Sequence, residues 1–143
     1  LQRLKITGRV KEIFKTSKGK YIVPVPIENK LINHPSIELC CVSGAGYPQP
    51  HALIMLSEGA QADADNGGKA MLQSELEKHI AKINADLEPH ERLQFMTVVK
   101  TPWAPENGLL TPTMKIRRNK IEESYGEFAD TWYDSKTTVL WQN

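Results

Sequence analysis

Hydrophobic and polar residues alternate near the start of the chain. Leu4, Ile6 and Val10 are separated by polar residues, and Ile13-Phe14 begins a second short apolar run. A period of two is typical of strands that bury one face. This stretch therefore predicts a β-hairpin or ribbon at the N-terminus.

A turn, a strand and a short helix are predicted next. Gly19 lies among lysines in the turn at 17–20, and Tyr21-Ile22-Val23 continues as strand until two prolines end it. Apolar residues then recur at helical spacing over 27–32. This helix should stop before His34-Pro35, because a residue before proline avoids the helical backbone.

Three longer apolar runs predict the strands of the main sheet, at 36–43 (SIELCCVS), 51–56 (HALIML) and 93–99 (LQFMTVV). Between the second and third strands, leucines and isoleucines recur at helical spacing over 69–87. Small, acidic and glycine residues over 57–68 predict a solvated loop. The pattern indicates an α+β domain, with a small, mainly three-stranded sheet covered by helices and preceded by a short N-terminal β-hairpin.

The end of the chain is rich in aromatic residues. A last helix is predicted over 117–125, followed by a tail that contains Phe128, Trp132, Tyr133 and Trp141. Such residues can touch a bilayer or a partner, but we expect the tail to pack as an edge strand.

Length and charge narrow the choices further. The 143 residues are the length of one domain. A net charge of +1 is too small to produce the strong positive field that would attract nucleic acids or anionic membranes. Cys40 and Cys41 are adjacent in a predicted strand, so their side chains should face opposite ways and remain free thiols. No apolar run approaches the ~20 residues of a membrane span, and no N-terminal leader is evident. We therefore expect a cytoplasmic protein, with peripheral membrane contact left open.

Basic residues concentrate around Lys115. The stretch LTPTMKIRR at 110–118 places Lys115 at the predicted boundary between a loop and the last helix, beside Arg117, Arg118 and Lys120. Four cations so close together could meet a phosphate or another anion. The alternative from composition alone is a basic helix start on a solvated surface. The four histidines are widely spaced and predict no metal site.

Two motifs taken together carry a resemblance to a known family. GRVKEIFKTSKGKYIVPVPIEN at 8–29 and LTPTMKIRRNKI at 110–121, in this order, resemble the C-terminal domain of the adenylate-forming (AMP-binding) enzymes. The sequences of the two motifs are most similar to those of the long-chain fatty acyl-CoA synthetases. The resemblance implies that 1–143 is a mobile C-terminal lid domain whose larger N-terminal domain lies before this sequence, as the start without an initiator methionine also suggests.

The family's chemistry follows from the resemblance. It implies a ligase that uses Mg-ATP to convert a fatty acid into an acyl-adenylate and then forms a thioester with coenzyme A, with no metal bound by this domain. Lys115 matches the catalytic lysine of adenylation, Lys11 the hinge position, and Arg9 the arginine near the ribose of the nucleotide. The loop facing the pantetheine tunnel matches Ser17, Lys18, Gly19 and Lys20. The resemblance also implies that the isolated chain is inactive.

Two departures from the family pattern and two rival hypotheses remain. Many relatives have Ser-Gly before the catalytic lysine, where this chain has Thr113-Met114, and Val25 stands where a glutamate or glutamine is common. The first change should make the loop less flexible. The rivals are an adenylate-forming enzyme for another carboxylate or acceptor, and a non-catalytic module that docks an anionic partner or a carrier protein.

Overall fold

The N-terminal hairpin is short and leads directly into a helix. The computed structural model describes residues 13–142, so the strand predicted at 4–10 lies outside the described residues. Strands β1 (Phe14–Lys15) and β2 (Tyr21–Ile22) pair antiparallel around the turn at Gly19. Helix α1 (Pro24–Leu31) begins earlier than predicted, because the fixed φ of Pro24 suits the first position of a helix.

The main sheet has four strands, in the order β3 (Ile37–Ser43), β4 (His51–Leu56), β5 (Met96–Val98) and β6 (Val139–Trp141). The first pair is antiparallel, and the other two pairs are parallel. The prediction of a mainly three-stranded sheet missed β6, which forms an edge. Trp141 does lie in an edge strand, as predicted for the aromatic tail.

The segment predicted as a solvated loop is largely helical. Helix α2 (Glu58–Asp63) is capped by Ser57, whose hydroxyl accepts a hydrogen bond from Ala60 N–H at 3.3 Å. The chain then kinks within Ala64–Gly68, where Asn66 and Gly67 have non-helical backbone angles, before α3 (Lys69–Ala85). The prediction was wrong because this segment lacks large apolar residues. Alanine nevertheless has the highest helix propensity, and buried alanines let a helix lie close to the core.

The last helix, α4 (Arg118–Ser135), is longer than predicted and contains most of the expected tail. Its buried residues recur every four positions, at Ile121, Tyr125, Ala129 and Tyr133. Gly126 does not end the helix. Trp132 and Tyr133 therefore pack from a helix rather than from an edge strand, which corrects the prediction for these two residues.

Two hydrophobic clusters lie on the opposite faces of the sheet. The first joins the sheet to α1 and α3 and includes Ile22, Ile27, Leu31, Cys40, Val42, Ile54, Leu76, Ile80, Met96 and Val98. The second joins it to α4 and includes Cys41, Leu53, Val99, Trp103, Leu109, Leu110, Ile121 and Tyr125. The adjacent cysteines thus face opposite clusters as free thiols, as predicted. Among the helices of residues 13–142, none is long and apolar enough to cross a membrane.

Candidate functional site

Lys115 lies in a tight loop, here called the Lys115 loop, formed by residues 110–116. Leu110 and Ile116 form an antiparallel bridge at its base. Thr111 N–H donates to the Lys115 carbonyl at 2.8 Å, and Lys115 N–H donates to Thr111 Oγ1 at 3.1 Å. These bonds close the loop on itself, so the Lys115 backbone has a defined position.

Met114 has an unusual backbone conformation for its residue type. Its φ of +69° lies in the left-handed region, which costs a residue with a side chain roughly 1–2 kcal/mol. In the family that the sequence resembles, many members have glycine at this position, and glycine adopts this conformation freely. Met114 N–H donates to Thr111 O at 2.8 Å, so the loop's own hydrogen bonds help to hold the conformation.

The Lys115 side chain is exposed, and the loop beneath it is anchored. Within residues 13–142, no carboxylate forms an ion pair with its ammonium group. Leu109 and Leu110 are buried in the second cluster, and Arg117 N–H donates to Leu109 O at 2.9 Å. The arrangement presents a cation to solvent from a backbone that is held at both ends.

The four predicted cations do not act as one basic patch, because Arg118 turns inward. Its guanidinium group forms a two-armed ion pair with the Glu28 carboxylate, with Nη2 to Oε1 at 3.0 Å and a second bond from Nη1 to Oε2. The two side chains are only 12% and 11% exposed. Arg117 donates to the Gly108 carbonyl at 3.3 Å. The alternative of a basic helix start on a solvated surface therefore fails for Arg118, whereas Arg117 is exposed.

Glu28 was missed in the sequence, although a signal was present. It occupies the buried stripe of α1 beside Ile27 and Leu31, a place where an acidic residue needs a partner. Val42 N–H also donates to Glu28 Oε2, at 2.7 Å, and Arg118 donates to Val42 O at 3.1 Å. The pair therefore joins α1, β3 and the first residue of α4.

The turn at 17–20, here called the glycine turn, is exposed and is closed by backbone hydrogen bonds. Gly19 has a φ of +81°, and Gly19 N–H donates to Thr16 O at 3.0 Å. The buried Thr16 hydroxyl accepts from Lys20 N–H at 3.2 Å. The predicted residues of this loop are all solvent-exposed: Ser17, Lys18, Gly19 and Lys20.

The glycine turn is attached to a second turn that follows β3. Ser17 N–H donates to Tyr47 O, and Gly46 N–H donates to Lys15 O, both at 3.0 Å. A Cβ at Gly44 would lie 2.8 Å from Pro50 Cα, so the turn at 44–47 requires glycine there. The glycine turn is thus supported by the backbone of its neighbour.

A buried histidine supports the turn at 44–47 from below. Tyr133 O–H donates to Gln49 O at 2.6 Å, so His51 Nδ1–H donates to the Tyr133 oxygen at 2.9 Å. Tyr47 stacks on Tyr133 with ring centroids 4.1 Å apart. Burial lowers the pKa of His51 to about 4, so its imidazole is neutral near pH 7. The sequence reasoning missed this cluster because its members lie far apart in the chain.

A groove of about 540 Å³ brings the beginning of the described chain to the Lys115 loop. Ile13 and Phe14 line one side, and residues 116–119 with Glu122 line the other. The predicted hinge residue Lys11 and the predicted nucleotide contact Arg9 lie outside the described residues. Within residues 13–142, no group of three or more histidine, cysteine, aspartate or glutamate side chains could hold a metal ion.

Comparisons with known proteins agree on the type of domain. Residues 11–137 match the family described as the AMP-binding enzyme C-terminal domain. A long-chain-fatty-acid–CoA ligase of Mycobacterium tuberculosis is 27% identical over 146 residues, which cover 93% of this chain and 24% of that protein. The peroxisomal long chain acyl-CoA synthetase 6 of Arabidopsis thaliana is 30% identical, with 92% of this chain and 21% of that protein covered.

A solved structure shows the same fold. The adenylation domain of a carboxylate reductase from Mycobacterium chelonae matches with a TM-score of 0.75 at 23% sequence identity, over 88% of this chain and 20% of that chain. The chain therefore spans at most about a quarter of the length of each of these proteins.

Proposed function

The chain belongs to the family of AMP-binding enzyme C-terminal domains, and we propose that it is the mobile lid of a long-chain fatty acid–CoA ligase. The observation that carries the proposal is the Lys115 loop. It presents an exposed ammonium group from a closed, anchored backbone, at the position that matches the family's catalytic lysine.

The proposed reaction has two steps. A fatty acid carboxylate attacks the α-phosphorus of Mg-ATP, forming an acyl-adenylate and releasing pyrophosphate. The thiolate of coenzyme A then attacks the acyl carbon, and AMP leaves with the bonding electrons. Mg²⁺ enters with ATP, and we assign its remaining ligands to the N-terminal domain.

Lys115 acts in the first step by electrostatics rather than as a nucleophile. Negative charge is shared between the α-phosphate and the attacking carboxylate oxygen, and an ammonium group beside them stabilises that charge. Its exposure in the separate domain suits this role, because closure of the lid would carry it from water into the active site. A charge interaction is several-fold stronger there than in water.

The second step uses another surface of the same domain. We propose that the chain rotates about Lys11, with Arg9 near the ribose, and brings the glycine turn to the pantetheine arm of coenzyme A. One feature supports this arrangement. The groove holds Ile13 and Phe14 beside the Lys115 loop, so a rotation at Lys11 would move both surfaces together.

The substrate assignment rests on the two relatives, which are named for long-chain fatty acids and CoA. A different carboxylate, a different acceptor thiol and a binding module without catalysis are the competing hypotheses.

The test is ATP–pyrophosphate exchange by the full-length protein that contains this chain, with palmitate or acetate as the acid. We expect exchange with palmitate, and we expect Lys115→Ala to lower it by about 10²–10³-fold, the cost typical of losing one transition-state charge partner. Lys82→Ala, on the exposed face of α3, is the matched control and should match wild type.

Each other result has a defined meaning. Exchange with acetate alone would reject the long-chain assignment, and exchange with neither acid would favour another carboxylate or the binding module. Wild-type exchange by Lys115→Ala would reject the catalytic lysine. The separate 143-residue chain should show no exchange.

A further inference from the structure

The Lys115 loop is joined to the rest of the domain at two points. On one side, Leu109 and Leu110 are buried in the second cluster. On the other side the chain passes through Ile116 and Arg117 into Arg118, the first residue of α4, whose guanidinium group is paired with Glu28. The second attachment therefore combines a buried ion pair with the packing of Ile116 against the second cluster.

This ion pair lies at the end of β3, beside the support of the glycine turn. Glu28 and Arg118 both bond to the backbone of Val42, and the next residue, Ser43, donates from its hydroxyl to Glu122 Oε2 at 3.0 Å. Immediately afterwards comes the turn at 44–47, which bonds to the glycine turn. The end of β3 thus carries attachments to both candidate surfaces of the domain.

We propose that Glu28 and Arg118 are positioning residues for Lys115, holding the Lys115 loop at a fixed place relative to β3 during adenylation. This inference rests on the proposed function of Lys115. Both side chains are largely buried between α1, β3 and α4, so we assign neither of them a contact with the reacting atoms. They act by restricting where the backbone of the loop, and hence the ammonium group, can be placed.

Arginine is required for this role on geometric grounds. A two-armed pair with a carboxylate fixes direction as well as distance, and Arg118 makes further bonds to Val42 O and Cys41 Sγ. Lysine keeps the charge but supplies a single point of attachment. A displacement of about 1 Å in a catalytic group can cost roughly 10²-fold in rate.

The decisive experiment combines Arg118→Lys with Lys115→Ala in the full-length protein, using ATP–pyrophosphate exchange with palmitate. In the wild-type background, we expect Arg118→Lys to lower kcat by about 10- to 100-fold and to change KM for ATP by less than about twofold. In the Lys115→Ala background, the same substitution should cause no further loss, because the residue that it positions is gone.

Two further variants keep the test interpretable. Glu28→Gln preserves the size of the side chain and an acceptor for Val42 N–H, and it should reproduce the dependence on Lys115 if Arg118→Lys does not fold. Arg92→Lys is the matched control, because Arg92 also bonds to backbone carbonyls, those of Asn84 and Leu87, at the end of α3. It should leave exchange unchanged.

The outcomes separate this inference from the function on which it rests. An equal loss from Arg118→Lys with and without Lys115 would mean a general structural role and would overturn the proposal. Full activity of Arg118→Lys and Glu28→Gln would overturn it as well. Wild-type exchange by Lys115→Ala would reject the catalytic lysine, and the positioning role with it.

Discussion

The two candidate surfaces of the domain are supported by buried polar groups of opposite kinds. Below the Lys115 loop, Glu28 and Arg118 are both charged and are stabilised by each other. Below the glycine turn, His51 and Tyr133 are neutral and share one hydrogen bond, with Gln49 O as the final acceptor. In a buried ion pair each charge needs the opposite charge beside it, whereas a buried neutral pair is stable only while both groups stay uncharged.

The difference has consequences for how each support can fail. Removal of one member of the ion pair leaves a buried charge without its counterpart, which is among the most costly changes in a protein interior. The histidine support fails instead when a proton is added, since a charged imidazole in this place would lose its hydration. The two surfaces should therefore respond to different perturbations.

The largest effect is expected from breaking the ion pair on one side. Glu28→Ala should lower the free energy of unfolding by about 3–5 kcal/mol, because it leaves the buried Arg118 guanidinium without its carboxylate. The double variant Glu28→Ala/Arg118→Met should be more stable than this single variant. Urea unfolding of the 143-residue chain measures both. Losses that simply add in the double variant would contradict the account of a mutually dependent pair.

The histidine support should give a smaller, pH-dependent effect. The pKa of His51 is lowered from 6.5 to about 4 by burial, so the unfolded chain binds this proton more readily. The contribution of neutral His51 to the free energy of unfolding is therefore complete above pH 6.5. It falls by about 3 kcal/mol as the pH drops towards 4. Burial and neighbouring His79 also lower the pKa of His34, which adds loss of the same sign.

The measurement is the urea midpoint between pH 7 and pH 4.5. His51→Phe cannot take up the proton, so its midpoint should fall less steeply, with the His34 contribution remaining. His90→Phe, on the short helical turn Pro89–Glu91, serves as the control and should keep the full slope. An unchanged slope in His51→Phe would show that the buried imidazole does not control the acid response.

Local pattern was enough to predict one central strand and one long helix. The strand predicted at 51–56 is β4 to the residue, and the helix predicted at 69–87 is α3 with its last two residues removed. Both have large apolar residues at a clear period. Helix α2 was missed because alanine and glycine carry no such period, and β6 was missed because its three residues were grouped with an aromatic tail.

The supports themselves could not be predicted from spacing. Glu28 and Arg118 are 90 residues apart in sequence, and His51 and Tyr133 are 82 apart. The first pairing depends on the packing of α1 and α4 against opposite faces of one sheet, and the second on the packing of α4 against β4. The motif around Lys115 was recognisable because it is continuous in sequence, whereas the groups that hold it in place are not.

A third buried polar group, the hydroxyl of Thr97, extends the comparison to a group without a hydrogen-bond partner among residues 13–142. Within residues 13–142, the hydroxyl of the fully buried Thr97 makes no hydrogen bond. Met96 and Val98 on either side of it face the first cluster, so Thr97 faces the side of α4. Thr97→Val removes this unpaired group while keeping the branched shape, and it should raise the free energy of unfolding by about 1 kcal/mol.

Thr16→Val is the matched comparison, because Thr16 is also buried but its hydroxyl accepts a hydrogen bond from Lys20 N–H at 3.2 Å. The same substitution there should lower the free energy of unfolding by about 1 kcal/mol, since it leaves a donor of the glycine turn without its side-chain acceptor. Urea unfolding of the two variants under one condition gives the contrast directly. Effects of the same sign would mean that the shape of the threonine side chain, and not its hydrogen bonding, determines the change in stability. The distinction between paired and unpaired buried groups would then be wrong.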